Sequence, residues 1–277
     1  MCSSDLIALL GEQKQAIIHR AVTCGIDPSV PLKPSGIPWL GDIPQHWRTL
    51  RLSQVSTKIG DGLHGTPLYV DQSPYYFING NNLVHGHIRM KSTTRCVSED
   101  EFKKYVIVLD ENSVLMSING TIGSVACYRG ESIILGKSAA YINCGKDLSR
   151  SFLFSFLRSS AVINFLRQEV TGTTIFNLSL ASIRSLSIAL PSVDEQLKIV
   201  SAIEDRLAPV DTAISRLERE IELLREYRTR LVADVVTGKL DVREAALHLP
   251  EESPPETVED DADLNTDADA SNEEAAP

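Results

Sequence analysis

The sequence predicts an α+β protein: one mixed α/β globular domain flanked by long spacer helices that form an antiparallel coiled coil, with a disordered acidic tail. Three observations carry this. A helical segment occurs twice, at an offset of 214 residues. The block between the copies mixes short β-like runs and helical runs without regular alternation, which argues against a doubly wound sheet. Residues 251–277 hold eleven acids and no Lys or Arg.

The repeat aligns Glu12–Thr23 with Glu226–Thr237. It continues to Ile26-Asp27 against Leu240-Asp241, and backwards to Ile7 against Ile221 and Leu10 against Leu224. Copies so far apart cannot stack as neighbours in a short array, but they can pair. In the second copy Val210, Ile214, Leu217, Ile221, Leu224, Arg228, Leu231 and Val235 alternate spacings of four and three, an a/d seam. In the first copy Ile7, Leu10, Lys14, Ile17 and Ala21 do the same. Lys14 and Arg228 share a repeat position, where a charge weakens a seam but can fix its register. Either copy alone would read as a surface helix with an apolar stripe; two matching copies favour pairing. The expected interface is Ile7, Leu10, Lys14 and Ile17 against Ile214, Leu217, Ile221, Leu224, Arg228 and Leu231.

Residues 1–27 therefore read as an N-terminal spacer helix. Residues 28–47, punctuated by Pro28, Pro31, Pro34, Pro38 and Pro44, read as an extended linker pinned by Trp39 and Trp47. The central block, 48–190, has strand-like runs at 75–78, 113–118, 124–128 and 139–142. Ser98-Glu99-Asp100-Glu101 is a capping box that opens a short helix, and Asp147 to Gln168 reads as one longer amphipathic helix. Residues 191–245 are the C-terminal spacer. Ser192 and Glu195 form its capping box, Pro209 is expected to break or kink it, and Gly238 ends it. Residues 246–277 read as a disordered tail.

A net charge of −10 disfavours nucleic-acid binding, but the tail accounts for it. Without 251–277 the chain has 27 basic and 26 acidic residues, and 42–190 has 15 basic and 11 acidic. A net +4 permits DNA binding without indicating it, because phosphate contacts need a local basic surface rather than a basic total. The five cysteines are scattered, with no C-x-x-C pair, which suggests a reducing cytoplasm and no zinc site. No long apolar run or leader is read, so a cytoplasmic location and no membrane are expected.

Catalytic motifs are missing. There is no phosphate loop, no G-x-G-x-x-G after a strand, no Asn-Pro-Pro-aromatic run and no H-E-x-x-H. Gly60–Gly65 is glycine-rich but lacks the Lys-Ser/Thr of a nucleotide loop. His85 and His87 have no acid or Cys nearby to complete a metal site, so a solvated turn is the plainer reading. His64 between glycines reads better as a loop hydrogen-bonder than as a general base. No catalytic and no metal residue is assigned, which favours a binding module.

Several segments, in order, resemble one family. Pro34-Ser-Gly-Ile-Pro-Trp-Leu-Gly-Asp-Ile-Pro-Gln-His-Trp47 resembles the lead-in to a target recognition domain of Type I restriction–modification specificity subunits. Asp61–Pro67 resembles the loop after that domain's first strand, and Ser117–Val125 its central glycine turn. Gly172–Leu178 and Ile188–Gln196 resemble its end and the start of the spacer helices. Residues 235–241, Val-Val-Thr-Gly-Lys-Leu-Asp, are similar to the end of the distal spacer. The resemblance covers about residues 5–245 and implies a non-catalytic subunit that binds double-stranded DNA and carries methyltransferase subunits, with a restriction subunit attached through them. S-adenosylmethionine, Mg2+ and ATP would then sit only on partner subunits, and base flipping would be the methyltransferase's work. A full-length member has two recognition domains, each reading half of a bipartite site. This chain has one, so it is expected to be a truncated half or a half-subunit that pairs with itself or with a second half-subunit. The alternative is a helical scaffold that no longer reads DNA, such as a decayed phase-variable cassette fragment.

Base reading needs Arg or Lys for guanine and Asn or Gln for adenine, while Lys, Arg, Ser and Thr hold the backbone. The candidate DNA-binding residues are Lys58, His64 and Thr66; Asn79, Asn82, Arg89 and Lys91; Asn119 and Thr121; Lys137; and Thr173, Thr174 and Asn177. For each Asn, ordinary turn chemistry is the competing reading.

Overall fold

A computed structural model describes residues 3–170 and 177–243. Two compact units divide the chain, Met1–Ile221 and Glu222–Pro277. The first begins with α1 (Ser3–Cys24), followed by a hairpin of β1 (Leu32–Pro34) and β2 (Asp42–Pro44). Then come β3 (Arg48–Arg51), the one-turn α2 (Leu52–Val55), β4 (Ser56–Asp61), β5 (Tyr69–Val70), β6 (Tyr76–Ile78), β7 (Leu83–Val84), β8 (His87–Ile88) and β9 (Cys96–Val97). They lead into α3 (Glu99–Tyr105), β10 (Ser113–Ser117), β11 (Val125–Cys127), β12 (Ile133–Leu135) and β13 (Ala139–Cys144). The chain continues through α4 (Arg150–Leu157), α5 (Ser160–Gln168), α6 (Leu180–Ser185) and β14 (Ser187–Leu190) to α7 (Val193–Val236). The α+β class expected from the irregular order of elements is what the chain adopts.

The central sheet has the order β11-β10-β13-β4 and is antiparallel throughout. Its two middle strands are buried along their whole length. Side chains alternate across a strand, so Val114, Met116, Ala140 and Ile142 enter one core while Leu115, Ala139 and Tyr141 enter another. The first core holds Trp47, Phe152 and Phe156 beneath α1 and α4. The second faces a smaller sheet of order β12-β6-β9-β5, in which β12 and β6 run parallel. Ser113 and Asn143 are buried and directly opposed; the Ser113 hydroxyl donates to Asn143 Oδ1 at 2.9 Å, and the Asn143 amide donates to the Val108 carbonyl at 3.1 Å. Burial pushes the Cys144 thiol up to about 12, so it stays neutral and packs as an apolar group.

Residues 28–47 are more ordered than an extended linker. Gly36 and Gly41, both at positive φ, let the chain turn back to form the β1–β2 hairpin. The two tryptophans do pin it: Trp47 is fully buried, and Trp39 stacks on Phe165 with ring centroids 4.9 Å apart. Glu195 does not reach back to close its capping box. Its carboxylate instead accepts from Trp47 Nε1 at 2.9 Å and contacts His46 Nε2 at 3.0 Å, fastening the start of α7 to this hairpin. The expected helix from Asp147 to Gln168 is two helices, because Ser159 is extended and breaks the run at the end of α4. Pro209 lies within a single continuous helix. It removes one backbone N–H bond, but Pro209 is exposed and so is Asp205, whose carbonyl loses that bond and can turn to water.

α1 runs antiparallel to the part of α7 within the first unit. Lys14 pairs with Asp211, while Arg20 and Cys24, further along α1, share a cleft with Arg206, further back along α7. Ile7, Leu10, Lys14, Ile17, Ile214, Leu217 and Ile221 are half-buried, whereas Leu224, Arg228 and Leu231 in the second unit are exposed. The seam base Lys14 thus meets an acid. No helix among the described residues is long and apolar enough to cross a membrane. The tail at 246–277 lies outside the described residues.

Replacing Asn143 by Ala removes the side-chain donor to the Val108 carbonyl and leaves the buried Ser113 hydroxyl only Asp110 Oδ1, at 3.1 Å, as acceptor. The expected cost is about 1–3 kcal/mol of unfolding free energy, checked by urea denaturation at constant m-value.

Candidate nucleic-acid interface

The strand register brings distant loops together. Ser117, the last residue of β10, is level with Ala139, the first of β13, and Asp61 closes β4 opposite Ala140. β6 and β12 end side by side at Ile78 and Leu135. The loops at 61–66, 79–82, 117–121 and 136–138 therefore leave the fold at one place. The segment at 177–178 joins them through a bridge between Asn119 and Asn177 and a bond from the Leu178 amide to the Ile118 carbonyl, 2.9 Å.

Short hydrogen bonds lock these loops to one another. The Ser138 hydroxyl donates to Asn79 Oδ1 and accepts from the Gly80 amide, both at 2.9 Å. The Leu63 amide donates to the Leu135 carbonyl at 2.7 Å, and the Lys137 amide to the Leu63 carbonyl at 3.0 Å. Three positions on these loops need glycine for lack of space, Gly80 among them, where a Cβ would lie 2.8 Å from the Ser138 carbonyl oxygen. A Cβ on Gly62 would lie 2.2 Å from the Leu135 carbonyl oxygen, and one on Gly136 would lie 2.4 Å from Asn79 Oδ1.

The expected site residues sort into four groups. His64, Thr66, Arg89, Lys91, Thr121, Lys137 and Asn177 are exposed on these loops or next to them. Lys91 bridges to the Asn81 carbonyl at 2.7 Å, which brings the segment after β8 to the 79–82 turn. His64 Nε2 lies 2.7 Å from Asp61 Oδ2. Lys58 is also exposed, further back on β4, its ammonium 5.8 Å from the Tyr141 ring centroid. Asn79 and Asn119 are half-buried, and the side-chain oxygen of Asn119 is buried without a protein hydrogen-bond partner. Asn82 is a correction. It is buried, its amide donates to the Arg89 carbonyl and to Thr94 Oγ1, and its oxygen accepts from the Asn79 amide. With its polar groups committed to the turn, it shapes the loop and is not available to a ligand. Thr173 and Thr174 lie outside the described residues.

Asp61 is the acid of these loops, and Arg89, Lys91 and Lys137 outnumber it with three exposed cationic side chains. Sequence reasoning missed Arg167. It is exposed in the last turn of α5 and shares a cleft of about 360 Å³ with Gly120, Thr121, Ile122 and Val170. Its signal was a base at the end of an amphipathic helix, a pattern that a solvated helix face also produces. His85 and Gly86, both at positive φ, form the two-residue turn between β7 and β8. No group of three or more His, Cys, Asp or Glu among the described residues could hold a metal ion.

The family model for the Type I restriction modification DNA specificity domain matches residues 45–223. The chain is 26% identical over 211 residues to the Type I restriction enzyme StySPI specificity subunit of Salmonella potsdam, covering 72% of this chain and 44% of that protein. It is 22% identical over 245 residues to the MjaVIII specificity subunit of Methanocaldococcus jannaschii, covering 86% and 56%. The chain thus spans about half the length of these relatives. Among solved structures, a chain from work on complex assembly and conformational transition of the type I R-M system aligns with a TM-score of 0.59 at 16% identity, over 84% of this chain and 53% of that one. The HsdS subunit from Thermoanaerobacter tengcongensis aligns at 0.51 and 18%, over 79% and 47%. At these identities the likeness is one of fold.

The division between shaping and exposed residues has a measurable consequence. Asn82→Ala is expected to lower stability by about 1–3 kcal/mol by leaving buried partners unpaired, while Lys137→Ala changes it by less than about 0.5 kcal/mol. Thermal melts of the two variants side by side check this.

Proposed function

Because this chain belongs to the Type I restriction–modification DNA specificity family, we propose that it reads one half of a bipartite DNA site for a methyltransferase docked on its helices. The observation that carries this reading is the convergence of loops from separate parts of the chain on one strand-end surface, with exposed Arg89, Lys91 and Lys137 beside exposed or half-buried Asn119, Thr121 and Asn177. The reader is the block at 48–190, and the helical regions at 1–27 and 191–245 are the delivery device.

The division of labour follows from side-chain chemistry. Lysines neutralise phosphates and set the register of the protein on the duplex. Arg89 carries the paired donors that suit a guanine edge, and Asn119 and Asn177 carry the amides that suit adenine edges. His64, positioned by Asp61, and Thr121 add short donors and acceptors. Strand ends locked by the Ser138 bonds keep these groups from moving apart, so less ordering entropy is lost on binding. Methyl transfer, and any cleavage, belong to partner subunits, as do S-adenosylmethionine, Mg2+ and ATP. The complex works in the cytoplasm. One recognition domain supplies one half-site.

The test is a binding titration of the chain, assembled with its methyltransferase, on duplex DNA across a salt series. Lys91→Ala and Lys137→Ala are each expected to weaken binding uniformly across sequences and to reduce the salt slope by about 1. Asn119→Ala is expected to relax sequence preference at one position, a discrimination of about 1–3 kcal/mol. Affinity, slope and preference all unchanged would count against the surface as the reader.

A further inference from the structure

The internal repeat gives the helix face at 226–237 a structural precedent. Its first copy is seated: Ile18, Ala21 and Val22 are buried where α1 packs on β2, α4 and α5. They share one core with Leu40, Ile43 and Trp47. By the repeat these three positions correspond to Val232, Val235 and Val236. There the face is more open, with Val232 54% and Val236 80% exposed and Val235 half-buried. The exchange of side chains nearly conserves volume, since Ile to Val removes a methylene, Ala to Val adds two carbons and the third position is unchanged.

Local geometry repeats as well. Thr23 and Thr237 each donate their hydroxyl to the carbonyl four residues back, that of His19 and of Ala233, both at 2.7 Å. Each helix is followed closely by a glycine in the left-handed region, Gly25 at φ 77° and Gly238 at φ 73°. The seam base is kept too: Lys14 pairs with Asp211, and Arg228 holds the matching position in the second copy.

We propose that residues 226–237 of one chain dock into the α1 socket of a second copy of this chain, replacing α1, with Arg228 reaching Asp211 of the partner subunit. The socket is the groove of β2, α4 and α5, and α1 is its intramolecular occupant. Exchange of equivalent elements between protomers forms an interface from contacts that each chain already makes. The driving force is removal of the exposed valine face from water. α1 competes with the advantage of its tether, which sets a high effective concentration, so α1 restrains the exchange and loosening α1 releases it. This concerns the helices alone and does not rest on the DNA reading.

Full-length Ile18→Asp with Val22→Asp removes α1's grip on the socket. Sedimentation analysis without DNA is expected to show the dimer fraction rising severalfold over wild type, and adding Val232→Asp with Val236→Asp is expected to cancel that rise. A folded Ile18→Asp, Val22→Asp chain with an unchanged dimer fraction overturns the proposal, as does a rise that the valine substitutions leave in place. If that variant does not fold, a full-length chain whose residues 12–23 carry the sequence of 226–237 decides the matter. Melting within a few degrees of wild type shows that the second copy fits the socket, and loss of the cooperative transition overturns the idea.

Discussion

The two-sided burial of β10 and β13, pinned by the Ser113–Asn143 hydrogen bond, is the constraint on which the rest of the structure depends. One face of this pair carries α1, α4 and the Trp47 region, and the other carries the small β sheet. Because both faces are buried, register is not set by keeping apolar residues from water. It is set by volume and by polarity. A one-residue slip would drive Tyr141 into the space of Ala140 and would separate Ser113 from Asn143. A fixed register places the ends of β10, β13 and β4 level, and that levelness gathers the exposed loops into one surface.

Much of this was legible in the sequence, for physical reasons that can be named. The strands at 113–117 and 139–144 are β-rich runs bounded by turn residues, and Ser98 caps α3 through the Glu101 amide as its spacing implied. The illegible parts share a cause: the deciding contact is made by residues far away in sequence. Ser192 and Glu195 have the spacing of a capping box, but Trp47 offers Glu195 a buried donor that no local pattern reveals. Asn82 looks like any exposed turn asparagine until its three partners are in place. Pro209 breaks helices by default, yet here it sits on an exposed stretch where losing one bond is tolerable. Arg167 was hidden because helix periodicity says which face is polar and not what that face will meet.

The first turn of α7 is fastened to the central block. Gln196 is buried and donates to the Asp147 and Pro191 carbonyls at 2.8 and 3.0 Å while accepting from the Ser149 amide at 2.7 Å. Together with the Glu195–Trp47 bond, this makes the first turn of α7 an integral part of the globular core. β14 pairing with β3, Ile188 opposite Leu50, brings the entry and exit of the central block together at the same place. A block closed in this way keeps its internal register.

The claim that this strand-end surface reads sequence is tested most directly by sequencing methylated positions in DNA from cells that carry the chain together with its methyltransferase. The expected result is an interrupted motif whose half-site changes when Asn119, Thr121 and Lys137 are substituted together, with the spacing between halves unchanged. An identical motif after those substitutions, or methylation that does not depend on the chain, would contradict it.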